Sequence, residues 1–313
     1  MPELPEVETI KRQLSEVLIG QTIKAVEVRR AKSFQDNPKD VIGKKITGID
    51  RRAKMLIIEL SHEPPATSHE LALLIHLKMT GQLIYQATSH QPPATSLKAR
   101  FSNHQPHFKF AGRIVGGHPT PDWVEKLPSN HTRIILQLTK GKLFFNDMRV
   151  FGWIKVITNQ ELDKLNQGLP PDVIDANFSL KYFTDYLART GRPVKIAITD
   201  QNKMGGVGNI YANDALWQAK IHPRRPAKSL NLSEINQLHR ALKLVLKLGI
   251  KYGGATASDD KFVHTTGLGG KYQEHFLVYE QDGKPCHRCQ TIIKKIRLAG
   301  RGTYYCPHCQ PLS

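Results

Sequence analysis

The chain reads as an α+β protein, with a β-sandwich opened by one helix and a helical C-terminal half closed by a four-cysteine knuckle. Three observations point there. Short β-rich runs fill the first half, and apolar residues at helical spacing fill the second. All four cysteines, Cys286, Cys289, Cys306 and Cys309, gather at the end as two C-x2-C pairs. A length of 313 residues is enough for two domains with cores of their own.

Taken in order, Glu3 to Leu18 predicts a helix, because Val7, Ile10, Leu14, Val17 and Leu18 recur on one face. Pro5 suits its first turn and Gly20 its end, and Glu6 and Glu8 favour its N-terminal dipole. Strand-like runs follow at 23–28, 46–50, 55–60, 71–77, 81–85, 134–138, 143–146 and 153–157, with Lys140-Gly141-Lys142 as a hairpin turn. Residues 87–128 read as a loop insertion. Pro64-Pro65-Ala66-Thr67-Ser68 recurs there as Pro92-Pro93-Ala94-Thr95-Ser96, too short a repeat for a solenoid. Eight of the 14 histidines lie between His62 and His131, without recurring ligand spacing.

Residues 159–178, with Gly168, Pro170 and Pro171, read as a linker between a first domain at 1–158 and a helical domain at 179–275. Ser179 is placed to cap one helix, Gly208 opens another running to Ala219, and Ser233 starts a third. In that third helix Ile235, Leu238, Leu242, Val245, Leu246 and Gly249 form an apolar stripe, read as core. Gly253-Gly254 ends it, and the last segment, 276–313, carries the cysteines.

A formal net charge of +18 makes a polyanion the expected partner, and nucleic acid leads. The surplus is concentrated: 220–251 holds eight Lys or Arg against Glu234 alone, and 283–313 holds six with no acidic residue. No segment pairs a basic face with the Trp or Phe anchors of a membrane-surface helix. No apolar run reaches the length of a membrane span, and the N-terminus has no secretory h-region, so a cytoplasmic, nucleoid-associated protein is expected. In a reducing compartment, paired C-x2-C knuckles sixteen residues apart point to one structural zinc ion with four thiolate ligands rather than to disulfides.

The chain opens Met1-Pro2-Glu3-Leu4-Pro5-Glu6. Removal of Met1 would expose a secondary amine whose pKa near ~8 leaves a useful fraction neutral and nucleophilic. Attack of such an amine on a sugar C1′ gives an iminium that is cationic without protonation, and so acidifies the C2′ proton.

Three separated motifs carry a family resemblance. Residues 1–8, Met-Pro-Glu-Leu-Pro-Glu-Val-Glu, resemble the opening of the formamidopyrimidine-DNA glycosylase family. Residues 205–212, Gly-Gly-Val-Gly-Asn-Ile-Tyr-Ala, continuing through Leu216, Ile221, His222 and Pro223, resemble its helix–two-turn–helix. Residues 298–303, Leu-Ala-Gly-Arg-Gly-Thr, resemble its zinc-finger hairpin. The glycines are not a dinucleotide-binding loop, since neither the spacing nor a βαβ unit is present. The resemblance implies an N-terminal β-sandwich with a leading helix, then a helix–two-turn–helix domain with a four-cysteine zinc finger. It implies a monomeric glycosylase and abasic-site lyase acting on double-stranded DNA that carries oxidised bases or abasic sites.

By the same resemblance Pro2 is the nucleophile, Glu3 the acid that protonates the deoxyribose ring oxygen, and Glu6 an assisting carboxylate. Lys54, His76, Asn209 and Arg301 contact phosphates, Lys54 at the lesion itself. Asn209 has independent support, because a glycine-rich turn at a helix N-terminus presents bare N–H groups to an anion. Met79, Arg149 and Phe151 match the three side chains that fill the vacancy left by an everted nucleotide. The segment 258–272 corresponds to the loop that closes over the everted base, with backbone amides around 265–270 reading it. Two departures stand in the 147–152 motif: Met148 and Val150 occupy positions where the family has proline and a second arginine. Two rival readings are an endonuclease VIII-like enzyme for oxidised pyrimidines and a zinc-dependent DNA-binding protein without catalysis. Leu4 speaks against the first, since those enzymes commonly carry glycine there, and the presence of Pro2, Glu3 and Lys54 against the second.

Overall fold

The computed structural model describes residues 2–61, 71–88, 113–117, 126–255 and 270–312. Among them the chain divides into two compact units. The first comprises Pro2, Glu6–Asn166 and Ala255 with Gly270; the second comprises Glu3–Pro5, Gln167–Gly254 and Lys271 onward.

The first unit is a sandwich of two antiparallel sheets with one helix, α1 (Leu4–Leu18). One sheet holds β1 (Ile23–Val28), β5 (Gly81–Ala87), β6 (Arg113–Gly117), β7 (Thr132–Leu138) and β8 (Gly141–Asp147) in the order β1-β7-β8-β5-β6. The other holds β2 (Lys45–Arg52), β3 (Met55–Ser61), β4 (Leu71–His76) and β9 (Trp153–Thr158), in chain order. Alternation along each strand sends Leu56, Ile58, Leu60, Leu73 and Ile75 from one sheet, and Leu83, Ile134, Leu136 and Phe145 from the other, into a shared core. Val7, Ile10, Leu14 and Leu18 of α1 close that core, as their helical spacing predicts.

Two differences from the sequence reading have identifiable causes. Helix α2 (Asn159–Gly168) stands where a linker is expected. Its start is a capping box: Thr158 Oγ1 accepts from Glu161 N at 3.2 Å, and Glu161 Oε2 accepts from Thr158 N at 2.8 Å. Leu162 and Leu165 then cover Ile57, Ala72 and Leu74 on the outer face of the four-stranded sheet. The second difference is β6, which pairs with β5 inside the expected insertion, Ile84 opposite Val115. The glycines Gly116-Gly117 and the short apolar run hide it from a pattern search. Residues 62–70, 89–112, 118–125 and 256–269, which hold most of the expected insertion and of the 258–272 segment, lie outside the described residues.

In the second unit Ser179 caps α3 (Leu180–Ala188), its hydroxyl accepting from Tyr182 N at 3.1 Å. A short α4 (Val194–Ile198) precedes α5 (Asn209–Gln218), in which every residue from Ile210 to Trp217 is buried. Helix α6 (Leu232–Lys251) begins one residue before the expected Ser233, because Asn231 and Glu234 form its capping box. Its predicted stripe is buried, and Gly249 lets Tyr211 approach so closely that a Cβ would lie 2.5 Å from the ring. The chain ends in the hairpin of β10 (Lys294–Leu298) and β11 (Arg301–Tyr305), turned by Ala299 and Gly300, both at positive φ.

Candidate active site and nucleic-acid interface

The catalytic candidates start at the N-terminus, where Pro2 is buried and covalently adjacent to Glu3, itself only 3 % exposed. Glu3 Oε1 accepts from the backbone N–H of Ile210 at 2.9 Å, in the first turn of α5. An acid at that place is favoured by the free N–H groups and the positive end of the helix dipole. The glycine loop makes the place possible. A Cβ on Gly208 would lie 2.2 Å from the Glu3 carboxyl carbon, and Gly206, at φ +95°, leaves room for Leu4, whose N–H donates to the Gly206 carbonyl at 3.1 Å.

Asn209 follows as the first residue of α5, and its side chain interacts with the Tyr279 hydroxyl, whose pKa burial pushes upward. Helix α5 carries two further polar anchors. Asn213 Oδ1 accepts from Tyr304 N at 2.9 Å. Asp214 accepts from Val278 N at 3.0 Å, Tyr279 N at 3.1 Å and the Tyr272 hydroxyl at 3.2 Å. Burial lifts the Asp214 carboxyl to about 6, against the pull of those donors.

Arg301 stands at the first position of β11, just past the hairpin turn. Beneath it lies Lys195, a residue not singled out from sequence because it reads as one more lysine in a basic chain. It is 2 % exposed, and its ammonium donates to Gly302 O at 2.8 Å and Thr303 Oγ1 at 2.6 Å. Burial, then the like charge of Arg301, depress its pKa to about 7, while Glu3 acts in the opposite direction.

The hairpin is held by the cysteines. Sγ separations of 3.4 Å (Cys289–Cys306), 3.5 Å (Cys289–Cys309) and 3.9 Å (Cys286–Cys309) are too long for disulfides. They bracket the ~3.8 Å edge of a tetrahedron with metal–sulfur bonds of about 2.3 Å. The residues fit one structural zinc ion, and four thiolates leave it no open position for water. Trp217 Nε1 donates to Cys286 Sγ at 3.3 Å, and the Arg288 guanidinium stacks 3.7 Å from the indole, so the last turn of α5 is braced against the metal site.

In the first unit Lys54 is buried in the tight turn between β2 and β3, beside Ala53 at φ 51°. Arg51 fixes that turn, donating to Ala53 O at 2.9 Å and pairing with Glu8 of α1 at 3.0 Å. Glu6, expected to assist catalysis, accepts from Ala255 N at 2.8 Å. Met79 and Phe151 are large apolar side chains left 43 % and 47 % exposed, with the Arg149 guanidinium 4.8 Å from the Phe151 ring.

His76 is set as a neutral donor. Its Nδ1 accepts from Lys78 N at 3.0 Å, which leaves the proton on Nε2. Burial, then the charges of Lys78 and Lys54, lower its pKa to about 3. Between that value and the ordinary 6.5 an unfolded chain binds a proton that the folded one refuses. His76 therefore contributes stability above pH 6.5 that is lost as pH falls toward 3. Nitrogen-15 spectra should show Nε2 protonated and Nδ1 bare from about pH 5 to 8. A titration midpoint near 6.5 would contradict this arrangement.

Comparison with known proteins places the whole chain in one family. Three family models match in order: the formamidopyrimidine-DNA glycosylase N-terminal domain over residues 1–154, its H2TH domain over 169–261, and the zinc finger found in FPG and IleRS over 283–312. The chain belongs to the formamidopyrimidine-DNA glycosylase family. Among its relatives, the formamidopyrimidine-DNA glycosylase of Pelotomaculum thermopropionicum is 36 % identical, the match covering 99 % of both chains. The solved MutM (Fpg) protein of Thermus thermophilus is 33 % identical, with a TM-score of 0.77 over 99 % of this chain and 98 % of that one. A Lactococcus lactis Fpg variant, solved with Fapy-dG-containing DNA, is 29 % identical with a TM-score of 0.79, covering 99 % of this chain and all of that one. No helix among the described residues is long and apolar enough to cross a membrane.

Proposed function

We propose that the chain is a bifunctional DNA glycosylase and abasic-site lyase that removes 8-oxoguanine and formamidopyrimidines from duplex DNA, acting as a monomer in the cytoplasm. The observation that carries this reading is the Glu3 carboxylate seated on the Ile210 N–H, one peptide bond from Pro2. With Met1 removed, the Pro2 amine attacks C1′ of the damaged nucleotide as the bond from C1′ to the base breaks. Glu3 protonates the ring oxygen, the sugar opens, and the iminium forms. Loss of the C2′ proton expels the 3′ phosphate, a second elimination expels the 5′ phosphate, and water returns the amine.

Lys54, His76, Asn209 and Arg301 hold phosphates, with His76 acting through a neutral N–H. Met79, Arg149 and Phe151 fill the space left by the everted base, and Arg149 suits the acceptor-rich edge of an orphaned cytosine. The structural zinc keeps the Arg301 hairpin in place. A reducing compartment suits the four thiolates.

The test is single-turnover excision from duplexes carrying 8-oxoguanine, formamidopyrimidine or thymine glycol opposite their usual partners. The reading expects the oxidised purines to be removed faster. Preference for thymine glycol would transfer the chain to the endonuclease VIII-like class. Tight binding without cleavage would leave a zinc-dependent DNA-binding protein.

A further inference from the structure

Asp147 is fully buried, yet its partners lie on two partly exposed stretches, 78–80 and 148–151, in which Met79, Met148, Arg149 and Phe151 are exposed. Its Oδ1 accepts from the Thr80 hydroxyl, and from Arg149 N at 3.2 Å. Its Oδ2 accepts from Phe151 N at 2.8 Å and Gly152 N at 2.7 Å. The Thr80 hydroxyl also accepts from Arg149 N at 3.1 Å, and the Asp147 carbonyl accepts from Arg133 Nε at 2.7 Å. One carboxylate thus gathers the backbone that carries Arg149 and Phe151 and ties it to the residue after Met79.

The backbone on both stretches is held against its preference. Val150 sits at φ 54° and Lys78 at φ 53°. A β-branched residue in that region is a steric outlier that persists only where its surroundings over-determine it. The exposed ends of this assembly are apolar: Met79, Phe151 and Met148, the last 47 % exposed where the family has proline. Buried charge and strained backbone in support of projecting hydrophobes is not an arrangement that core packing requires.

We infer that Asp147, bridged through Thr80, is the positioning residue that holds the Met79 stretch and the Arg149–Phe151 stretch as one rigid wedge, with Met148 as a further side chain presented to the DNA stack. The inference rests on the proposed role of Met79, Arg149 and Phe151. Its consequence is selective. A rigid wedge matters when a stacked, paired base must be everted. It matters far less when the substrate is already an abasic site.

The experiment compares single-turnover excision of 8-oxoguanine opposite cytosine with cleavage of an abasic site in a duplex of the same sequence. The enzymes are Asp147→Asn, Thr80→Val, Thr80→Ser, Met148→Ala, Arg149→Ala and Phe151→Ala, with a thermal melt of each. Asp147→Asn and Thr80→Val should slow excision ~10-fold or more while abasic cleavage stays within ~3-fold of the parent. Thr80→Ser, which keeps the hydroxyl, should restore excision. Met148→Ala should slow excision alone, by a smaller factor. Asp147→Asn combined with Phe151→Ala should be less than additive, since both disable one device. Equal losses on both substrates with a lowered melting temperature would reduce Asp147 to a structural residue and overturn the inference. Normal excision by Asp147→Asn while Arg149→Ala and Phe151→Ala are impaired would overturn it too, leaving the wedge reading intact. Full activity of Arg149→Ala and Phe151→Ala would remove the wedge reading and the inference with it.

Discussion

Glu3→Gln should lower base excision by ~10²–10⁴-fold, the range removed with a positioned general acid. Binding of an uncleavable abasic-site analogue should change little. The geometry adds a second route to the same defect. Gly208→Ala keeps Glu3 but puts a methyl group 2.2 Å from its carboxyl carbon. Gly208 has a φ of −130°, which alanine adopts freely, so strain does not confuse the result. The carboxylate must leave the Ile210 N–H, and a displacement of about 1 Å at a reacting group can cost ~10²-fold. Single-turnover kinetics on 8-oxoguanine duplexes measure both variants. Unchanged rates in Gly208→Ala would show that the seat on α5 is dispensable.

Loss of zinc should be the most damaging change to binding. Cys289→Ser, or prolonged chelation, removes the ion that fixes the two knuckles, and structural zinc couples on the order of 10 kcal/mol to the folding of such small elements. The hairpin bearing Arg301 should lose its place. Affinity for an abasic-site duplex should fall by at least ~10², with a shallower dependence on salt as phosphate contacts disappear. Trp217 provides an internal reporter, because its indole donates to Cys286 and stacks on Arg288. Its fluorescence should change in step with zinc release. Retention of full affinity by a zinc-free protein would show that Arg301 is positioned by Lys195 and β10 alone.

Much of this was legible in the sequence, and where it was not the reasons are physical. Helix α1, most of the strands and the α6 stripe follow from period alone, because each buries its apolar residues on a single face. Helix α5 has no such stripe, because Asn213 and Asp214 are buried on it to hold other segments; only its glycines and its family resemblance located it. Helix α2 was hidden by its proximity to Pro170-Pro171, although Thr158-x-x-Glu161 is a capping signal. Among the site residues, the cysteines carry their chemistry in their spacing. His76 and Lys195 do not: their protonation is set by burial and by neighbouring cations, Lys78 and Lys54 for the one and Arg301 for the other. For Glu6 the sequence shows only a carboxylate near the start of α1; that its Oε1 accepts from Ala255 N, 249 residues along the chain, is a contact no local pattern reveals.

The central claim is that the N-terminal amine forms the covalent intermediate. Borohydride trapping on a duplex containing 8-oxoguanine opposite cytosine tests it directly, followed by mass mapping of the adduct, with Pro2→Gly and an uncleavable N-terminal extension alongside. The account predicts a trapped complex whose sugar remnant is attached to Pro2, lost on extension and strongly reduced in Pro2→Gly. An adduct mapped to a lysine, or strand cleavage undiminished by the extension, would contradict it.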